Sequence, residues 1–248
     1  MKKPDIRMVA LDMDGTVLDT DMTISKKNEQ AIKQAIEQGV EVVFATGRHC
    51  STCTPYAETL GVRYMITVNG GEIWTTEGEL IARQSLAQTA VKKYKEIYDK
   101  YTPWTWLVSP EKVWRNELPE NLDDHEWLKF GIDTDDEQIR AAILEELSSE
   151  TTIELSNSSL TNIEINAIGI NKSQSIEKIC ERIGINMDQV MTVGDSLNDI
   201  KMIEQAGLGV AMENAQEEVK KVADWVAPHH TEDGVAKAIE YWVLNTNI

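Results

Sequence analysis

Long apolar runs are missing from this chain of 248 residues. No segment approaches the roughly 20 uninterrupted apolar residues that cross a bilayer, so no membrane partner is expected. Basic residues are scarce: 24 Lys and Arg stand against 42 Asp and Glu, and the formal net charge is -18. Lys92, Lys93, Lys95 and Lys100 form only a sparse scatter. Such a chain repels nucleic-acid phosphates and anionic lipid heads, so no nucleic-acid partner is expected either. Cysteines number three, an odd count in a chain long enough to fold without staples. That fits a reducing, cytoplasmic compartment. Lys2 and Lys3 give a charged start, but the apolar run Met8–Leu11 is broken by Asp12, so no secretory leader is expected. Internal repeats and low-complexity segments are absent.

What remains is a chain with 42% apolar residues, enough for a packed core in one large domain or two smaller ones. Residues 6–11 are apolar almost throughout, as in a central parallel strand covered on both faces. Residues 25–38 follow with helical spacing, Ser25 as N-cap and Gly39 as stop. The run 40–45 is the next strand, completing a βαβ unit. Residues 64–68 form a third strand, closed by Asn69-Gly70-Gly71, and 72–74 return as a hairpin. From about residue 85 the character changes to charged and aromatic, with helices expected at 89–100 and 136–148 and strands at 105–108, 153–156 and 162–167. The parallel-sheet style resumes at a helix over 172–183, followed by strands at 190–193, 208–211 and 225–226 and helices at 199–206, 215–222 and 235–243. The expectation is an α/β fold: a discontinuous Rossmann-like parallel-sheet core, 1–84 and 170–248, with an inserted α+β module at 85–169.

The chemistry-bearing residues gather at expected strand ends and helix starts, where open α/β sheets bind ligands. Asp12 and Asp14 follow the first strand and, two residues apart, can face one point in space. Thr46 and Gly47 follow the second strand; Asp195, Asn198 and Asp199 follow a later one; Lys172 opens the helix leading back into the core. Asp12, Asp14, Asp195 and Asp199 are oxygen ligands of the kind Mg²⁺ prefers. Lys172 adds positive charge, and Thr46, Asn198 and backbone N–H groups add neutral donors. A cation, a lysine and several donors make a site for a phosphate, whose transfer needs charge stabilisation and in-line positioning. One carboxylate can attack phosphorus to give an aspartyl-phosphate, and the other can protonate the leaving alkoxide and later deprotonate water.

Four segments, Leu11-Asp12-Met13-Asp14-Gly15-Thr16, Phe44-Ala45-Thr46-Gly47-Arg48, Lys172, and the run 193–202, resemble in order the four motifs of the haloacid dehalogenase-like hydrolase superfamily. The insert, and Glu232-Asp233-Gly234-Val235-Ala236, resemble its Cof-type phosphatase branch. The resemblance implies Asp12 as nucleophile and Asp14 as general acid/base. It implies Mg²⁺ held by the Asp12 carboxylate, the Asp14 backbone carbonyl and Asp195, with Asp199 in support. Thr46, Gly47, Asn198, Lys172 and the Met13 backbone N–H would hold the phosphate. It further implies a mobile cap, 85–169, over a small phosphomonoester substrate; the oligomeric state, monomer or homodimer, is left open by the sequence. Ser173 stands where the family usually has glycine after the lysine.

Each residue also has an ordinary structural reading: Thr46 as an N-cap, Asp199 as charge at a helix start, Lys172 as a surface residue. Cys50 and Cys53 form a C-x-x-C, which at a helix start could have a lowered thiol pKa, but no second pair exists to complete a zinc site, so neither redox nor metal use is expected of it. His229 and His230 could line the site mouth, and the tryptophans of the insert could wall a substrate or fill the insert's core. The rival functions are phosphomutase-type transfer, a hydrolytic dehalogenase, a signalling receiver domain, and a catalytically silent metabolite-binding protein on the same fold.

Overall fold

The computed structural model describes residues 4–244, which leaves Lys2 and Lys3 outside the described residues. Along the chain run β1 (Met8–Leu11), α1 (Lys26–Glu37), β2 (Glu41–Ala45), α2 (Cys50–Leu60), β3 (Tyr64–Thr67), β4 (Glu72–Thr75) and β5 (Leu80–Arg83). Next come α3 (Gln88–Tyr101), β6 (Trp104–Val108), β7 (Val113–Arg115), β8 (Lys129–Asp133), α4 (Glu137–Leu147), β9 (Ile153–Ser156) and β10 (Asn162–Ala167). The chain then forms α5 (Lys172–Ile183), β11 (Val190–Gly194), α6 (Ile200–Gln205), β12 (Leu208–Met212), α7 (Glu217–Val222), β13 (Trp225–Ala227) and α8 (Gly234–Trp242). Two compact units result: Met1–Ile81 with Asn171–Ile248, and Ala82–Ile170. Among the described residues, no helix is long and apolar enough to cross a membrane.

The first unit is built on an eight-stranded sheet in the order β13-β12-β11-β1-β2-β3-β4-β5. The strands from β13 through β3 are parallel, and β4 returns antiparallel to β3. In register, Leu11 lies opposite both Val193 and Phe44, so β11, β1 and β2 end level. Every residue of β1, β11 and β12 is buried, which explains their unbroken apolar sequences. Ser25 caps α1 by accepting the Asn28 N–H. Its hydroxyl also donates to Asp233 at 2.6 Å, and Asn28 accepts the Ala236 N–H at 2.8 Å. These bonds fasten the start of α8 to the start of α1.

The second unit holds a five-stranded antiparallel sheet in the order β7-β6-β8-β10-β9. One sheet face, with Leu107, Phe130, Ile132, Ile163 and Ile165, packs into one apolar cluster with Tyr94 and Ile97 of α3 and Ile143 and Leu147 of α4.

Four elements go beyond the sequence expectation. Helix α2 carries Thr52, Thr54 and an internal Pro55, all poor helix formers; Pro55 also removes the donor that would bond Ser51. The Nδ1 of His49 caps it by accepting the Ser51 N–H at 3.3 Å. Strand β8 alternates Lys129, Phe130, Gly131 and Ile132, and its glycine and buried lysine disguise it. Strands β5 and β7 are short and only partly buried, so no long apolar run marks them.

Replacing Ser25 with Ala removes the α1 cap and the Asp233 bond together. The expected cost is about 1–2 kcal/mol in urea unfolding followed by a first-unit probe. Unaltered stability would contradict the fastening role assigned to Ser25.

Candidate active site

The level ends of β11, β1 and β2 bring three chain segments to one edge of the sheet. Asp12 follows β1, and its N–H bonds to the Val193 carbonyl at 2.9 Å. The chain then turns tightly, with the Met13 carbonyl accepting the Thr16 and Leu18 N–H groups. Gly15 permits the turn at φ +77°, and a Cβ there would sit 2.7 Å from an Asp195 oxygen. Lys172 is the first residue of α5, a helix capped by the Asn171 side chain. Asp195 and Asp199 follow β11.

Lys172 is fully buried and donates to Asp12 Oδ1 and Asp199 Oδ1, each at 2.6 Å. Asp199 Oδ2 accepts the N–H groups of Asp195 and Ser196 at 3.0 and 3.1 Å. Asp199 therefore spends both oxygens on holding the pocket together. Asp195 accepts the Thr16 hydroxyl at 3.1 Å and the Ser196 hydroxyl at 3.2 Å. Carboxylate oxygens of Asp12, Asp195 and Asp199 lie within 4.8 Å of one another.

Charge bookkeeping decides what this pocket wants. One lysine faces three carboxylates, leaving excess negative charge in a buried place. Burial raises the Asp12 carboxyl well above the ordinary carboxylate range; Lys172 opposes this, and Asp199 and Asp195 reinforce it. Burial, then the charge of Asp199, pushes Asp195 up to about 6. Burial alone would lower the Lys172 pKa, but Asp12 and Asp199 outweigh it and hold the ammonium charged. Hard oxygen donors with surplus negative charge fit a divalent cation.

Asp14 sits differently. Its side chain is 55% exposed, and the Arg48 guanidinium grips both its oxygens, at 2.8 and 2.6 Å. Thr46, at the end of β2, is buried; its hydroxyl accepts the Arg48 N–H at 3.2 Å and its carbonyl accepts the Asn69 N–H. Gly47 lies between Thr46 and Arg48. Asn198 donates through Nδ2 to Asn69 Oδ1 at 3.3 Å. Asn69 reaches that position because residues 68–70 all adopt positive φ. Met13 is buried beneath the turn.

The structure thus gathers Asp12, Lys172, Asp195 and Asp199 into one hydrogen-bonded cluster, while Asp14 is engaged by Arg48 and Asn198 by Asn69. Arg48, Thr16, Ser196 and Asn69 carry this geometry without having been singled out from the sequence. The signal for Arg48 and Thr16 was their place inside the quoted motifs.

The C-x-x-C carries no lowered thiol pKa. Burial pushes the Cys53 thiol up to about 12 and raises that of Cys50 as well, so burial overrides any help from the start of α2. All three cysteines are unbonded thiols. His230 brings Nδ1 to 2.9 Å from the Leu18 carbonyl, which ties its loop to the turn after Asp14. The His229 ring meets the Thr231 hydroxyl.

A parallel α/β sheet with a lysine-tied carboxylate cluster at its strand ends marks a class of α/β proteins whose strand-end site could hold a divalent cation. The sequence profile described as haloacid dehalogenase-like hydrolase matches residues 9–118 and 110–239, and the chain belongs to this family. It is 48% identical over 241 residues, 97% of each chain, to the 5-amino-6-(5-phospho-D-ribitylamino)uracil phosphatase YcsE of Bacillus subtilis (strain 168). A second protein of that species with the same phosphatase name, YwtE, is 29% identical, with 95% of this chain and 97% of that one covered. Among solved structures, a haloacid dehalogenase-like hydrolase from Bacteroides thetaiotaomicron matches with TM-score 0.82 and 29% identity, covering 95% of this chain and 99% of that one.

The raised Asp195 pKa carries a sign. The folded state holds this proton longer than the unfolded chain does. The cation-free protein therefore loses stability as pH rises from about 4, and the full cost is reached above about 6. Asp195→Asn removes that cost. By thermal melting without divalent cations, the variant is expected to melt at least about 2 °C above wild type at pH 8, with a smaller gain at pH 5. Equal gains at both pH values would contradict the charge argument.

Proposed function

We propose that the chain hydrolyses small phosphomonoesters through an aspartyl-phosphate on Asp12, with Mg²⁺ as its cation. The observation that supports this most is the buried Lys172 bridge between Asp12 and Asp199 beside the Asp195 carboxylate. Lys172 holds Asp12 in one rotamer with one oxygen occupied, so the other oxygen is the one presented to phosphorus. Asp12 and Asp195, with the Asp14 backbone carbonyl, would hold the cation, and Asp199 supports them through Lys172 and two backbone amides. When bound, the cation would offset the carboxylate charge and the charge on the phosphoryl oxygens.

Thr46, the Gly47 and Met13 N–H groups, the second Nδ2 hydrogen of Asn198, and Lys172 are the donors assigned to the phosphoryl oxygens. The Asp12 carboxylate attacks phosphorus as the bond to the leaving oxygen breaks, and Asp14 gives that oxygen a proton. Water then attacks the phosphorus of the acyl phosphate and yields its proton to Asp14. Inorganic phosphate leaves and the Asp12 carboxylate is restored. Arg48 grips both Asp14 oxygens, so Asp14 must exchange one of these bonds for the leaving oxygen. The arginine keeps the carboxyl aimed between turnovers.

The substrate we assign is 5-amino-6-(5-phospho-D-ribitylamino)uracil, on the strength of 48% identity to a phosphatase named for it. The second unit, 82–170, is the part we assign to reading the leaving group, and the cytoplasm the compartment that fits three free thiols. Release of inorganic phosphate without an added bisphosphate would separate hydrolysis from phosphomutase transfer.

The purified protein is expected to hydrolyse p-nitrophenyl phosphate in the presence of Mg²⁺, and Asp12→Asn to abolish that turnover. Normal turnover in the variant, or in excess chelator, would sink the mechanism. Asp14→Asn is expected to lower kcat about 10²- to 10⁴-fold, the usual contribution of general acid–base transfer.

A further inference from the structure

A second link, apart from the Lys172 bridge, joins the two segments assigned to the cation. It comes from the loop after β12, residues 213–216. Strand β12 lies parallel beside β11 with Ala211 opposite Gly194, so its end is level with the Asp195 segment. The Gln216 N–H donates to the Asp195 carbonyl at 2.9 Å. The Asn214 side chain reaches the other segment: its Nδ2 donates to the Gly15 carbonyl at 2.8 Å. One short loop therefore holds the turn after β1 and the segment after β11 at once.

The chemistry of Asn214 is dictated from both ends. Its Oδ1 accepts the His230 backbone N–H at 3.1 Å. That partner can only donate, and the Gly15 carbonyl can only accept. Among side chains of this length, an amide alone supplies both an oxygen and an N–H. Aspartate would set a carboxylate oxygen against the Gly15 carbonyl, and leucine would leave both backbone groups unpaired. The amide cannot turn over either, because like would then face like at both ends. The His230 backbone thus aims Nδ2 at Gly15. The His230 ring acts on the same turn, bringing Nδ1 to 2.9 Å from the Leu18 carbonyl.

What Asn214 holds is the Gly15–Thr16 peptide. This is one peptide beyond the Asp14 carbonyl, the backbone oxygen assigned to the cation. On its other side stands Thr16, whose hydroxyl donates to Asp195 Oδ1 at 3.1 Å. The turn has no slack here, since a Cβ on Gly15 would fall 2.7 Å from Asp195 Oδ2. Rotating the Gly15–Thr16 plane would displace a cation ligand on one side and release the Thr16 bond to Asp195 on the other. Mg²⁺ demands near-ideal octahedral geometry, so it loses affinity when its ligands drift.

We propose that Asn214 is a positioning residue for the cation. By holding the Gly15 carbonyl it fixes the spacing between the Asp14 backbone oxygen and the Asp195 carboxylate, and it acts through them without touching cation or substrate. The inference rests on the reading above of Asp12, Asp195 and the Asp14 carbonyl as cation ligands, and adds a residue outside that set which tunes their affinity.

Two measurements test it. In the first, Mg²⁺ alone is titrated calorimetrically into wild type, Asn214→Ala and Leu60→Ala, at a temperature where all three are folded. Leu60 is buried at the end of α2, just before β3 begins and so away from the strand ends that carry the site. Its truncation lowers stability without reaching the turn. The dissociation constant is expected to rise about tenfold in Asn214→Ala, as for a lost hydrogen bond whose partner is left unpaired, and to keep its wild-type value in Leu60→Ala. An unchanged constant in Asn214→Ala, or an equal rise in Leu60→Ala, would overturn the proposal. In the second, amide hydrogen exchange is followed without divalent cations on the peptide spanning residues 12–18. Faster exchange there in Asn214→Ala than in Leu60→Ala supports the link, and equal exchange overturns it. Wild type that binds no Mg²⁺ would bring down the cation reading and this inference together. Wild type that binds Mg²⁺ no more tightly than Asn214→Ala brings down this inference alone.

Discussion

The buried ammonium of Lys172 is the tie on which the strand-end cluster depends. It reaches Asp12, which follows β1, and Asp199, beyond β11, each at 2.6 Å. Those carboxylates belong to segments 187 residues apart in the chain, and nothing else of positive charge lies between them in the described hydrogen bonds. Removing the ammonium would leave three carboxylates facing one another without an internal cation. The helix that delivers Lys172 is itself set by the Asn171 cap, so a local capping choice fixes the position of a long-range electrostatic contact.

That tie leaves the cluster deliberately short of balance. Two further lysines would be needed to neutralise it, and they would leave no need for an external ion. With one lysine, the pocket retains negative charge that burial makes costly, as the raised pKa of Asp195 records. The same imbalance that weakens the fold would give a divalent cation its affinity, so stability and the proposed function would pull against each other here. Asp14 stands outside this arrangement. It is exposed, gripped by Arg48, and free of the Lys172 cluster, so two carboxylates separated by one residue occupy different electrostatic settings.

Much of the core was legible because its signals are local. Apolar runs ending in glycine or a capping residue marked β1, α1, α5 and β11 within a residue or two. The acids at the strand ends were legible as residue types whose spacing favours a cation. What stayed hidden depends on partners far away in sequence. That Arg48 would grip Asp14, that Asn69 would occupy Asn198, and that Asp199 would give both oxygens to Lys172 and two amides are facts of register, not of composition. Helix α2 was hidden by Pro55 and its threonines, and β8 by Gly131, whose bare backbone makes sense only with the Trp106 indole above it.

The central claim is that Asp12, presented by Lys172, takes the phosphoryl group. Rapid acid quench of Asp14→Asn mixed with ³²P-labelled substrate and Mg²⁺, followed by peptide mapping, tests it most directly. With p-nitrophenyl phosphate as that substrate, the leaving group needs no proton from Asp14, so the variant should transfer the phosphoryl group and then stall for want of its general base. The account predicts one acid-stable, hydroxylamine-sensitive phosphoryl group on the peptide carrying Asp12. Label on another residue, or none on Asp12 while wild type turns the same substrate over, would contradict it.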